Sequence, residues 1–165
     1  MKECLVIIDV QNGFVSEKTK HIPDKVKALV EQKSFDYVVA TKFCNVEGSP
    51  YINFMGWTGL LDEKSRQLYP GIEELCDRIF TKEIYSCFTQ EFVDFLEKEK
   101  IDRLYFAGID TDCCVLKSAS DCFERNIPFE VLLNYCASNG GDESHKAAHL
   151  VMKRMLGRKA INLME

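Results

Sequence analysis

The chain has 165 residues, 46% hydrophobic and 28% charged, with nine Gly and four Pro, enough for one compact domain over 1–165 with a full core and too little for two. Against 21 basic residues stand 26 acidic ones, for a net charge of -5, and no polybasic tract is present, which excludes nucleic acid as the main partner. The eight cysteines are too sparse for a disulfide scaffold and fall in apolar runs, so they read as reduced thiols of a cytoplasmic protein.

In chain order, Leu5 to Val10 (LVIIDV) predicts the first strand. This run is too short for a signal peptide or a membrane span, and no later stretch approaches ~18 apolar residues, so a soluble protein without a membrane partner is expected. Val26, Leu29 and Val30 make an i, i+3, i+4 stripe after Pro23-Asp24, the pattern of a helix. Tyr37 to Thr41 (YVVAT) predicts the second strand. Residues 43–70 are irregular, rich in Gly, Ser, Asn and aromatics, and contain Trp57, the only tryptophan. A connection of that length is either functional or mobile.

Arg78 to Thr81 predicts the third strand, and Phe92, Phe95 and Leu96 the helix after it. Arg103 to Gly108 (RLYFAG) predicts the fourth strand, followed by a helix over 112–126 with Val115, Ala119, Cys122 and Phe123 on one face. Phe129 to Leu133 predicts the fifth strand, Leu150, Val151 and Leu156 a helix after Asp142-Glu143, and Ala160 to Leu163 the sixth strand. Continuous apolar strands alternating with amphipathic helices predict an α/β layered sandwich with a buried parallel sheet and right-handed crossovers.

In such a sheet ligands bind outside the carboxyl ends of the strands. Asp9 closes the first strand, Lys82 the third, and Thr111-Asp112-Cys113-Cys114 follows the fourth, so an acid, a base and a thiol reach one edge. Cys114 falls in the first turn of the predicted helix, where the dipole favours a thiolate. Asp9 is positioned to take a thiol proton and return it to a leaving nitrogen, and Lys82 to hold the carboxylate. Backbone N–H groups at the helix start suit an oxyanion. No glycine-rich phosphate loop is present, which puts hydrolysis or acyl transfer ahead of hydride or phosphoryl transfer and implies no cofactor.

The stretches LVIIDVQNGFV (5–15), KEIYSCF (82–88) and AGIDTDCCVLKSASDCFERN (107–126), with a weaker match at CASNGGDESHKAAHLVMKRM, resemble the isochorismatase-like cysteine hydrolases. That family includes nicotinamidases, carbamoylsarcosine and ureidoacrylate amidohydrolases, and isochorismatases. The resemblance implies a Rossmann-like three-layer α/β/α sandwich with a six-stranded parallel sheet in the order 3-2-1-4-5-6. It also implies an Asp9-Lys82-Cys114 triad, a cis peptide between Ile109 and Asp110, and an oxyanion hole from the Asp110 and Cys114 N–H groups. A small-molecule substrate and a homodimer or homotetramer follow from the same likeness.

The expected reaction is cleavage of a C–N bond in a small amide, carbamoyl or ureido compound through a thioester. The alternatives are a vinyl ether hydrolase that uses Asp9 without the thiol, or an idle member acting as a binding partner. Gln11, Phe14, Trp57 and Tyr85 are candidates for the substrate pocket, with Gln11 close enough to orient Asp9. Nicotinamidases carry an Asp and several His after the second strand to bind a metal; TKFCNVEGSPYINF here has no His, so a metal-dependent nicotinamidase is disfavoured. His145 and His149 have two-His spacing but no H-E-x-x-H frame and read as surface residues, and Cys113 is expected to point away from the nucleophile. No metal site is expected.

Overall fold

In the computed structural model, which describes residues 1–163, six parallel strands form one sheet in the order β3-β2-β1-β4-β5-β6. β1 (Glu3–Ile8) lies in its middle, between β2 (Tyr37–Phe43) and β4 (Arg103–Ile109). β3 (Arg78–Lys82) forms one edge, and β5 (Phe129–Ala137) and β6 (Ile161–Asn162) complete the other side. Strands covered on both faces need no polar alternation. Accordingly Cys4, Leu5, Val6, Ile7 and Ile8 are all fully buried.

Successive side chains of β1 feed opposite layers, because a strand has a period of two. Cys4, Val6 and Ile8 pack with Phe92, Phe95, Ala119, Cys122 and Met152, which belong to α4 (Gln90–Glu99), α5 (Leu116–Glu124) and α6 (Asp142–Met155). Leu5 and Ile7 pack with Val26 and Leu29 of α1 (Ile22–Gln32) on the other face. The sheet is therefore clad by helices on both sides. Among the described residues no helix is long and apolar enough to cross a membrane.

Several local outcomes differ from the sequence reading. In α6 the buried residues are Ala148 and Met152, continued by Leu156 beyond the helix, while Leu150 and Val151 face outward. The small Ala148 lets the helix sit close to the sheet, and Met152 and Leu156 follow at the i+4 spacing that keeps one face. β5 runs four residues further than predicted, with a register shift against β4 between Phe106 and Gly108. Residues 43–70 hold two short helices, α2 (Pro50–Met55) and α3 (Glu63–Arg66), capped by the side chains of Ser49 and Asp62. All eight cysteines are free thiols, five of them buried.

Candidate active site

The site is built where β1, β2, β3 and β4 end. Asp9 follows β1 with φ 50, the left-handed region that Asp tolerates better than most side chains. That conformation turns its fully buried carboxylate under the strand ends. Oδ1 accepts a 2.6 Å hydrogen bond from Thr41 Oγ1 of β2, and the same hydroxyl accepts the Asp9 N–H at 3.2 Å. Oδ2 meets Lys82 Nζ at 2.9 Å.

Lys82 ends the edge strand β3, two strands from β1. Its register partner is Phe43, and its stem crosses the end of β2 with Nζ 5.2 Å from the Phe43 ring centroid. Besides Asp9, Nζ donates to Ile84 O at 2.9 Å and Tyr85 O at 3.1 Å. These three oxygens use the three N–H donors of the ammonium. Cys114 Sγ lies 3.6 Å from the same nitrogen, so one buried cation touches the carboxylate and the sulfur together. Burial pulls the Lys82 ammonium down, yet the charges of Asp9 and Cys114 outweigh it and the net shift is upward.

Cys114 comes from the β4 to α5 connection. The Ile109–Asp110 peptide is cis, and Thr111–Val115 form one π-helical turn before α5 begins at Leu116. The Val115 N–H donates across five residues to Asp110 O at 3.2 Å, an oxygen it shares with the Cys113 N–H, so the predicted helix start is wider than an ordinary α-turn. The electrostatics also differ from the expected thiolate. Burial pushes the Cys114 thiol well above its usual range, Asp9 pushes it further, and Lys82 offsets only part. Burial and Asp9 thus favour the protonated thiol over the thiolate.

Cys114 lies at the base of a pocket of about 370 Å³. Of the sequence candidates, Phe14, Trp57 and Tyr85 line it. Phe14 and Trp57 stack at 5.9 Å with 8° between their planes, and Tyr51 stands edge-on to Trp57 and Tyr85. Gln11 does not line it. Its amide donates to Phe43 O and Arg66 O and accepts the Phe43 N–H, which fastens the end of β2 to residues 43–70 behind the aromatic wall.

Sequence reasoning missed Thr41, Phe43, Tyr51, Asn139 and the side chain of Asp110. Thr41 ends the predicted second strand outside any of the matching stretches, and Asn139 stood in the weakest of them. Cys113, expected to face away, also lines the pocket, its thiol pushed up to about 12 by burial and by Asp112 and Asp110. His145 Nδ1 lies 2.7 Å from Thr111 Oγ1, which gives it a hydrogen-bonding role in packing α6. Among the described residues, Asp110, Asp112 and Cys113 bring potential metal-ligand atoms within 4.8 Å of one another. Both carboxylates there already accept hydrogen bonds, from Asn139 and from Ser138.

With this geometry in hand, comparison with known proteins is informative. A model of the isochorismatase domain family matches residues 3–160. No curated relative matches by sequence. The structure is similar to nicotinamidase from Bacillus subtilis, with TM-score 0.78, 24% identity, and 95% of this chain and 97% of that one covered. It is also similar to an isochorismatase-like hydrolase from Alkaliphilus metalliredigens (0.79, 21%, 94% and 92%) and to N-carbamoylsarcosine amidase from Thermoplasma acidophilum (0.75, 22%, 95% and 94%). At these identities the solved structures speak for the fold, and the family match spans nearly all of the chain: it belongs to the isochorismatase family of hydrolases.

Proposed function

We propose that the chain is a cysteine hydrolase that cleaves the C–N bond of a small amide, carbamoyl or ureido compound through a thioester on Cys114. The observation that carries this reading is the buried Lys82 ammonium in contact with both Asp9 Oδ2 and Cys114 Sγ, 2.9 and 3.6 Å away, at the base of an open pocket. The likeness to a nicotinamidase and to an N-carbamoylsarcosine amidase supports an amide-type bond as the target.

Asp9 takes the Sγ proton as the sulfur attacks the carbonyl carbon, because a buried thiol becomes a nucleophile only when its proton has somewhere to go. The Asp110 and Cys114 N–H groups receive the oxyanion. As the tetrahedral intermediate collapses, Asp9 returns the proton to the departing nitrogen and the C–N bond breaks. Water, deprotonated by Asp9, then attacks the thioester, and the acid leaves with the thiol restored. Lys82 keeps Asp9 in place and balances negative charge as it passes between carboxylate and sulfur.

Mass spectrometry of the protein trapped with a small aldehyde or a slow amide should find the adduct on Cys114, and Cys114→Ala should abolish turnover. Full activity in Cys114→Ala would overturn the thioester route and leave acid catalysis by Asp9 alone. Assembly into a homodimer or homotetramer belongs to the same reading. It is supported by Phe54 and Met55 of α2, which are 87% and 64% exposed beside the pocket.

A further inference from the structure

The charges around the pocket point to what enters it. Among the described residues, no Lys, Arg or His lines it. Lys82 lies beneath, its three N–H groups already given to Asp9 and two carbonyls. Arg66 of the 43–70 segment does not line the pocket and donates to Leu60 O and Asn45 O. The ionisable oxygen acid of the wall is Asp110.

Its carboxylate is held in place from one side. Oδ1 accepts from Asn139 N at 2.8 Å and Asn139 Nδ2 at 2.9 Å. Asn139 has no N–H left to offer a ligand: Nδ2 also donates to Phe14 O at 2.9 Å, and its Oδ1 accepts from Ser16 Oγ at 2.6 Å. Asp110 Oδ2 has no hydrogen-bond partner among the described residues, and none of their buried side-chain oxygens lacks one, so Oδ2 is open to the cleft. Phe14, Trp57, Tyr51 and Tyr85 line the same pocket, and aromatic π-electrons attract cations. Among the described residues the wall carries no cation, and its carboxylate is that of Asp110.

We propose that Asp110 selects the substrate: the pocket takes an amide with a flat or apolar body that carries an ammonium, amidinium or other N–H donor for the Asp110 carboxylate, and it turns away amides that carry a carboxylate. This rests on the hydrolase reading for the reaction and adds the class of compound to it. Burial pushes the Asp110 carboxyl up to about 6, with Asp112 and Asp9 adding to the rise and the Asn139 bonds opposing it. Asp110 is therefore ionised at neutral pH, where the selection operates.

Binding of three matched primary amides to the Cys114→Ser protein, followed by calorimetry, tests the assignment: benzamide, its meta-aminomethyl derivative and its meta-carboxy derivative. The ammonium compound should bind at least about tenfold more tightly than the carboxylate, with benzamide between them. Asp110→Asn should shrink that ratio to about threefold or less, and in the otherwise native enzyme the change should appear in KM rather than kcat. An anionic amide bound as well as the cationic one, or no binding by any of the three, overturns the proposal. So does an unchanged ratio in a folded Asp110→Asn protein; should that variant not fold, the order in the Cys114→Ser protein decides. If that order holds but the native enzyme turns over none of them, the hydrolase reading fails while the assignment of Asp110 stands.

Discussion

At the scale of single residues, the Asp9 carboxylate depends on Thr41 as much as on Lys82. The Thr41 hydroxyl both donates to Oδ1 and accepts the Asp9 N–H, so it fixes the side chain and the left-handed backbone together. Thr41→Val keeps the shape and removes the hydroxyl, leaving a buried acceptor and a buried donor without partners. An orphaned buried polar group costs about 1–3 kcal/mol. In the proposed reaction Asp9 is the base, so its displacement should lower kcat by about tenfold or more with KM little changed, and Thr41→Ser should restore it. Equal kcat in Thr41→Val and native protein would remove Thr41 from the machinery. Asp9, Lys82 and Cys114 were legible because each sits in a distinctive motif at a strand end. Thr41, Asn139 and the Asp110 side chain were not, since their roles depend on which neighbouring strand end they face, and that is set by sheet order and by the turn after β4.

At the scale of elements, the contact between β1 and β4 is the tightest constraint. Gly108 has φ +130, and a Cβ there would stand 2.1 Å from Ile8 O. The strands meet that closely one residue before Asp9 and two before Asp110, so the loops that carry these two residues leave the sheet from one point. Gly108→Ala must push backbone against backbone, which no rotamer change relieves. A loss of about 3 kcal/mol or more is expected, a fall in Tm of roughly 6–12 °C for a chain of this size. A Tm within a degree or two of the native value would refute it.

The strands themselves were readable because both-face burial leaves unbroken apolar runs. The two helices inside 43–70 were not. Six and four residues are too few to show a 3.6-residue period, and their caps at Ser49 and Asp62 become visible only once the chain has turned. The π-helical turn at Thr111–Val115 was read as an ordinary helix start for a similar reason. Its width comes from the Val115 N–H reaching back five residues to Asp110 O, a feature of the backbone after β4 and not of any side-chain pattern.

At the scale of the whole molecule, the sheet gathers residues 9, 41, 82 and 114 at one edge, and α2 closes over them with its own outer face uncovered. Phe54, Met55 and Ile84 are large apolar side chains on that outer surface. A second copy of the chain is the occupant that the assembly reading requires. Sedimentation at micromolar concentration should give a dimer or tetramer, and Phe54→Asp should shift it toward monomer without changing the far-ultraviolet dichroism. A native protein that sediments as a monomer would overturn that assembly.

The eight unpaired thiols carry a further consequence. Every one is held less acidic than an ordinary cysteine thiol, mainly by burial. Oxidants react with thiolate far faster than with thiol, so outside the pocket, where Cys113 and Cys114 lie, the sulfur of the folded chain should oxidise slowly. Local opening or global unfolding releases these groups to water, where they ionise normally, and disulfides between residues that never meet in the native sheet then become possible. The shelf life of the enzyme in air should accordingly follow how often it unfolds: anything that tightens the fold, a bound ligand included, protects its sulfur as an antioxidant would.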